Sequence, residues 1–163
     1  MTRIGLMSDT HNYLNEAIFH HFKDCDEIWH VGDFGSAAIA KKLSDFKPLK
    51  GVYGNIDGLD IRKDFGETLK FKCEDAKIIM QHIGGYPGKY APGIKEMIKS
   101  FNADIFISGH SHILKVIYDD KLNCLHMNPG AAGKQGWQQV STVIKFSIDG
   151  RKIENCEVIE LPS

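Results

Sequence analysis

The stretch Ala103-Asp104-Ile105-Phe106-Ile107-Ser108-Gly109-His110-Ser111-His112 is an apolar run of strand length that ends on two imidazoles. In extended or turning backbone, residues i and i+2 can point to the same side. On a helix the same pair would diverge by about 200°. The run therefore reads as a buried strand, with the histidine pair beyond its end, where open α/β sheets place their sites. Neutral imidazole is a ligand for zinc, iron, nickel and copper. His-x-His alone is a weak signal, and its weight depends on what other strand ends carry.

The chain before this stretch has two halves of different character. Arg3–Met7, Asp26–Val31 and Pro48–Tyr53 read as strands. Leu14–Lys23 and Ala37–Phe46 lie between them with apolar residues at helical spacing. Strand, helix, strand, helix, strand favours a parallel sheet with right-handed crossovers. Then Glu67–Cys73 and Lys77–Ile83, separated only by Glu74-Asp75-Ala76, suggest an antiparallel hairpin. The Gly/Pro-rich stretch Gly84–Gly93 reads either as a plain connection or as a lid, and Ile94–Phe101 reads as a helix. After the histidine pair, strands are expected at Leu114–Tyr118, Leu122–His126, Val140–Ile148 and Lys152–Ile159. Mixed strands with few helices imply an α/β fold of two sheets packed face to face and flanked by helices.

Bulk composition narrows the function classes. The 163 residues suffice for one domain, taken as 1–163, with a real core. Apolar residues make up 42% and charged residues 25%, ordinary for a globular chain. Net charge is −1, without a long basic run, which counts against a partner such as long nucleic acid. No apolar run reaches the roughly 20 residues that span a bilayer, so no membrane partner is expected. The start, Met1-Thr2-Arg3-Ile4-Gly5-Leu6, enters a strand directly and does not read as a signal peptide. Cys25, Cys73, Cys124 and Cys156 are scattered, as reduced thiols of a cytoplasmic protein would be.

Other strand ends carry matching donors. Asp9 and His11 follow the first strand, Asp33 the second, Asn55 the third, and His82 closes a later one. Glycine precedes a donor at Gly32-Asp33, Gly54-Asn55 and Gly109-His110, and positive φ at such glycines would help aim short side chains. With His110 and His112 the donors number seven, too many for one zinc ion but enough for two ions sharing a carboxylate. Two ions about 3.5–4 Å apart can clamp the attacking and leaving oxygens of a phosphoryl displacement. Nitrogen and oxygen donors without thiolate suit Mn²⁺, Fe, Ni²⁺, Co²⁺ or Zn²⁺, with manganese placed first. Asp57 reads as a supporting residue behind the ligands or as a turn residue, and Asn128 as a support for loop backbone. His20, His21, His30 and His126 have no motif behind them and read as structural or surface residues.

Asp9-x-His11, Gly32-Asp33, Gly54-Asn55-Ile56-Asp57, His82 and Gly109-His110-Ser111-His112 together resemble the calcineurin-like metallophosphoesterase superfamily, in its small phosphodiesterase branch of bacteria and archaea. The resemblance runs from about residue 3 to the end and includes the Asn128-Pro129-Gly130 turn. It implies a four-layer αββα sandwich of two mixed β-sheets with a dinuclear site at its edge. It also implies that Asp9, His11 and His112 hold one metal, that Asn55, His82 and His110 hold the other, and that Asp33 bridges them. The nucleophile would be a hydroxide bridging the ions, and the substrate a small or medium phosphate ester.

Two departures stand out. Many superfamily members carry a histidine after the motif asparagine, where this chain has Ile56. The loss of one general acid typically costs 10²–10⁴-fold in rate, which predicts a bias toward good leaving groups. Around His82 the branch often continues with His-Gly and a further histidine, whereas this chain reads Gln81-His82-Ile83-Gly84-Gly85-Tyr86. A phosphomonoesterase, a nuclease and a non-enzymatic scaffold like the retromer subunit of the same fold are the alternatives. The scaffold relative is altered at a ligand-level position, and all seven candidates are intact here. No interface signature stands out, so the oligomeric state, a homo-oligomer included, stays open.

Overall fold

The computed structural model describes residues 1–163. Its first third comprises β1 (Thr2–Met7), α1 (Ala17–His21), β2 (Glu27–His30), α2 (Ala37–Phe46), β3 (Leu49–Gly51) and α3 (Leu59–Arg62). The middle holds β4 (Thr68–Cys73), β5 (Ala76–Gln81), β6 (Gly85–Tyr86), β7 (Lys89–Tyr90) and α4 (Ile94–Phe101). The last third holds β8 (Ile105–Ile107), β9 (Lys115–Asp119), β10 (Cys124–Asn128), β11 (Thr142–Asp149) and β12 (Lys152–Glu160).

Two five-stranded sheets result, in the orders β12-β11-β1-β2-β3 and β4-β5-β8-β10-β9. β1, β2 and β3 are mutually parallel, and so are β5, β8 and β10. Antiparallel strands complete both sheets, so each is mixed. Ile4, Leu6, Trp29, Ile78, Met80, Ile105, Ile107 and Phe146 meet between the sheets. A second apolar cluster packs Ile18, Ile39, Leu43 and Ile61 of the first three helices, with Phe22 just past α1, onto Met7, Ile28 and Val143. A third packs Ile94 and Ile98 of α4 onto Ile79, Phe106 and Cys124. The architecture is thus αββα in four layers.

Double-sided burial explains the continuous apolar runs. In β5, Ile78 and Met80 face the other sheet while Ile79 faces α4. In β8, Ile105 and Ile107 do the same around Phe106. Each such fully buried side chain contributes about 1.5–3 kcal/mol through removal from water. No helix is long and apolar enough to cross a membrane.

α2 and α4 match their expected bounds. α2 stops at the Lys47-Pro48 step, which disfavours helical backbone. α4 stops at Asn102 in left-handed conformation, φ 57°. α1 is shorter than expected, because Asn15 caps the Ala17 N–H at 3.0 Å and ties itself to the Pro162 carbonyl at 2.8 Å. α3 was not expected, since in four residues only Ile61 is buried. β10 starts two residues later than expected, after a turn through Asn123 at φ 51°. The Gly84–Gly93 stretch forms the two-stranded β6–β7 hairpin, packed over the second sheet by Tyr90, whose ring meets Phe106 edge-on at 6.0 Å.

Candidate metal centre

All seven candidate donors sit just beyond the carboxyl ends of parallel strands. β1 leads into Asp9 and His11, β2 into Asp33, β3 into Asn55, β5 into His82, and β8 into His110 and His112. The loops brace one another through backbone bonds. Asp9 N–H donates to the Gly32 carbonyl at 2.9 Å, His11 N–H to Asp33 at 3.0 Å, and Gly109 N–H to His82 at 3.0 Å.

Strain concentrates here. Asp9 (φ 54°), His11 (45°), Asp33 (58°), His110 (70°) and His112 (64°) all lie in the left-handed region. Such backbone costs roughly 1–3 kcal/mol per residue and persists only where the surroundings enforce it. The neighbouring glycines serve a different need from the expected one at two of three places. Gly32 has φ 103°, but Gly54 and Gly109 have no positive φ. A Cβ on Gly54 would overlap the Asp33 carboxylate, and one on Gly109 would overlap Ser8 Oγ and come within 2.9 Å of Asp9 Oδ2.

The donors converge in two groups. Donor atoms of Asp9, His11 and His112 lie within 4.8 Å of one another, as do those of Asp33, His82 and His110. Asn55 Oδ1 lies 3.0 Å from His110 Nδ1, which adds it to the second group. Asp9 Oδ2 is occupied, accepting from Ser8 Oγ at 2.6 Å and from the His110 N–H at 3.2 Å. Its Oδ1 faces His112 Nε2 at 3.2 Å and His11 Nε2 at 3.6 Å. Asp33 Oδ1 accepts the Ile56 N–H at 3.0 Å, while Oδ2 stands between His82 Nε2 at 3.2 Å and His11 Nε2 at 3.3 Å.

Supporting bonds fix which atoms face inward. His82 Nδ1–H donates to the Val31 carbonyl at 2.7 Å, so its Nε2 presents a lone pair. His112 Nδ1–H donates to Gln138 Oε1 at 2.9 Å with the same result. The Gln138 amide is itself oriented by donating to the Gln135 carbonyl at 2.6 Å. Buried Asp9 Oδ1, His11 Nε2 and His82 Nε2 have no hydrogen-bond partner. Burial opposes ionisation of Asp9, but His11, His112, His82 and the Ser8 hydroxyl outweigh it and hold the carboxyl below the usual range. The Asp9 carboxylate facing its ring raises His112; burial depresses His82, and Asp33 and Asp9 more than compensate. Orphaned buried donor atoms close together, an Asp9 carboxylate kept ionised and imidazoles with fixed tautomers are the chemistry of a cation site.

Asp57 and Asn128 touch backbone and no candidate ligand side chain. Asp57 accepts N–H groups of Gly54 (2.8 Å), Phe34 (3.2 Å) and Gly35 (3.0 Å), clamping the Asp33 loop to the Asn55 loop. Asn128 donates to the Gly109 carbonyl at 3.1 Å and to Ser111 Oγ at 3.3 Å, supporting the His110–His112 loop. Within the Gly84–Gly93 stretch, Tyr86 bonds Ser111, which lies between the two histidines. Tyr90 bonds Asp119 at 2.7 Å, and with Lys89 it lines a separate cavity between the hairpin and α4. His30 has no counterpart in the motif but joins two ligand loops. Gly32 N–H donates to its Nδ1 at 3.1 Å, so Nε2–H donates to Thr10 Oγ1 at 3.1 Å, and Thr10 donates on to the Phe34 carbonyl.

With this geometry in place, the comparisons with known proteins fix the class. A calcineurin-like phosphoesterase superfamily domain is matched over residues 2–151, and the chain belongs to that superfamily. It is 30% identical to a probable metallophosphoesterase of Methanothermobacter thermautotrophicus, over 93% of this chain and 88% of the relative. It is 28% identical to a phosphodiesterase of Methanocaldococcus jannaschii, over 78% of this chain and 82% of the relative. Among solved structures, Vps29 of Entamoeba histolytica complexed with Zn²⁺ shares the fold, with a TM-score of 0.74 at 15% identity, covering 97% of this chain and 98% of that one.

Proposed function

We propose that this chain is a metal-dependent phosphodiesterase acting on small or medium phosphate esters in the cytoplasm. Asp9, His11 and His112 would hold one divalent transition-metal ion, and Asn55, His82 and His110 a second. Asp33, whose carboxylate stands between His82 and His11, would serve both. Manganese is the first candidate, with Fe, Ni²⁺, Co²⁺ and Zn²⁺ as alternatives. When bound, such a pair polarises phosphoryl oxygens and lowers the pKa of water enough to supply a nucleophile at neutral pH.

The observation that carries this reading is the set of partnerless buried atoms: Asp9 Oδ1, with His11 Nε2 and His82 Nε2 at 3.6 and 3.7 Å from it. Unpaired polar atoms are costly to bury, so a cation is the partner that makes the arrangement stable. The chain's residues hold geometry and charge: Gln138 and the Val31 carbonyl set tautomers, and Ser8 fixes Asp9. Ile56 contributes only its N–H, to Asp33, and its exposed apolar side chain has no proton to give the leaving alcohol. Substrates with good leaving groups are therefore favoured. The phosphodiesterase name of the jannaschii relative supports the diester choice.

Purified protein loaded with Mn²⁺ should hydrolyse bis-p-nitrophenyl phosphate, and Asp33→Ala should lose activity and bound metal together. Fully loaded protein without turnover would overturn the enzyme reading in favour of a scaffold. Faster turnover of p-nitrophenyl phosphate would make it a monoesterase.

A further inference from the structure

A cavity of about 210 Å³ adjoins the second donor group, walled by Asn55, His82, Tyr53, Ile83, Arg62 and Glu67. Arg62 ends α3, the short helix that begins just past the Asn55 turn. Its guanidinium lies 4.1 Å from the Tyr53 ring centre, and Nε–H donates to the Asp57 carbonyl at 2.7 Å. No carboxylate lies within 4.0 Å of it. A cation held from two sides yet lacking a counter-charge, next to two candidate metal ligands, is an arrangement already organised for an anion. Tyr53 and Ile83 give the same cavity apolar walls for a ring-sized group.

We propose that Arg62 determines specificity here, selecting phosphate esters whose organic half carries a carboxylate. The assignment rests on the phosphoesterase reading of the adjoining donors. With the phosphoryl group at those donors, the organic half extends into the cavity and its carboxylate meets the free N–H groups of Arg62. Glu67 shares the cavity and opposes the anion, so it sets how strong the preference is.

The test compares methyl aryl phosphodiesters that differ only in a meta-carboxylate or the isosteric meta-carboxamide, with Mn²⁺-loaded protein. Because Arg62 is exposed, a charge-assisted pair predicts a ratio of kcat/KM, carboxylate over carboxamide, of about threefold to fivefold in the unmodified chain. Arg62→Gln should bring that ratio to about one, and Glu67→Gln should raise it about twofold to threefold by removing a like charge. Binding of the matching non-hydrolysable arylphosphonates, measured by titration calorimetry, should show the same order. A ratio at or below one in the unmodified chain, or one that Arg62→Gln leaves unchanged, would overturn the assignment. Arg62-dependent phosphonate binding without turnover of either ester would leave the subsite standing and remove the hydrolase reading. Turnover with no Arg62 dependence would remove the subsite alone.

Discussion

Asp57→Ala is expected to loosen two ligand loops at once. The Asp57 carboxylate is 3% exposed and accepts three backbone N–H groups at 2.8–3.2 Å. Two of those donors follow Asp33 in sequence and one precedes Asn55. Truncation strands all three. At roughly 1–3 kcal/mol for each of the two buried donors, Phe34 and Gly54, and with exposed Gly35 able to turn to water, the loss is about 2–6 kcal/mol. That is a large share of the 5–15 kcal/mol typical of a domain, so Asp57→Asn provides a milder companion. The amide keeps one oxygen for Gly54 and Phe34 and turns its NH₂ toward the Gly35 N–H, for a loss of about 1–3 kcal/mol. Urea unfolding followed by circular dichroism measures the stability, and elemental analysis measures metal per chain. Both variants should also bind Mn²⁺ more weakly, because Asp33 and Asn55 lose their fixed separation. An Asp57→Ala protein that loses under about 1 kcal/mol and binds metal as tightly as the unmodified chain would refute the clamp.

Gln138→Leu should free the His112 ring and weaken one ion 10–100-fold while sparing the other, read as one altered step in a two-site calorimetric titration. His126 is fully buried, with neither ring nitrogen hydrogen-bonded, and burial lowers its pKa to about 4. The unfolded chain then takes up the proton first, so stability is complete above pH 6.5 and falls by about 3 kcal/mol on acidification to pH 4. His126→Phe should flatten that acid limb in paired urea titrations at the two pH values; an unchanged slope would assign it elsewhere. Gly54→Ala drives a Cβ into the Asp33 carboxylate, and overpacking of this kind costs about 1–3 kcal/mol. Metal content should fall more steeply than thermal stability, as elemental analysis beside a melting curve would show.

The legible parts of the fold are those where burial writes a pattern. Ile78-Ile79-Met80 and Ile105-Phe106-Ile107 are unbroken apolar runs because each strand is covered on both faces. α3 and the β6–β7 hairpin leave no such mark, being four and two residues per element with few buried side chains. In the site, donors at strand ends are visible because parallel strands deliver them to one edge. Their supports are not. Gln138 reaches His112 from a loop 26 positions on, beyond β9 and β10, and no spacing rule links them. His30 has the look of a core histidine until its tautomer is followed to Thr10 and Gly32. The glycines at Gly54 and Gly109 were visible, but not their cause, since a collision with a side chain distant in sequence has no local signature.

The donors divide between the sheets. Asp9, His11, Asp33 and Asn55 follow strands of one sheet, while His82, His110 and His112 follow strands of the other. Each converging group draws on both. Neither half of the sandwich can therefore assemble a group alone, and the binding free energy of a cation at these donors would act on the docking of one sheet against the other. Such a cation would work as a rivet through two plates, tying position 9 to position 112 as a long-range crosslink does and leaving local helix formation untouched.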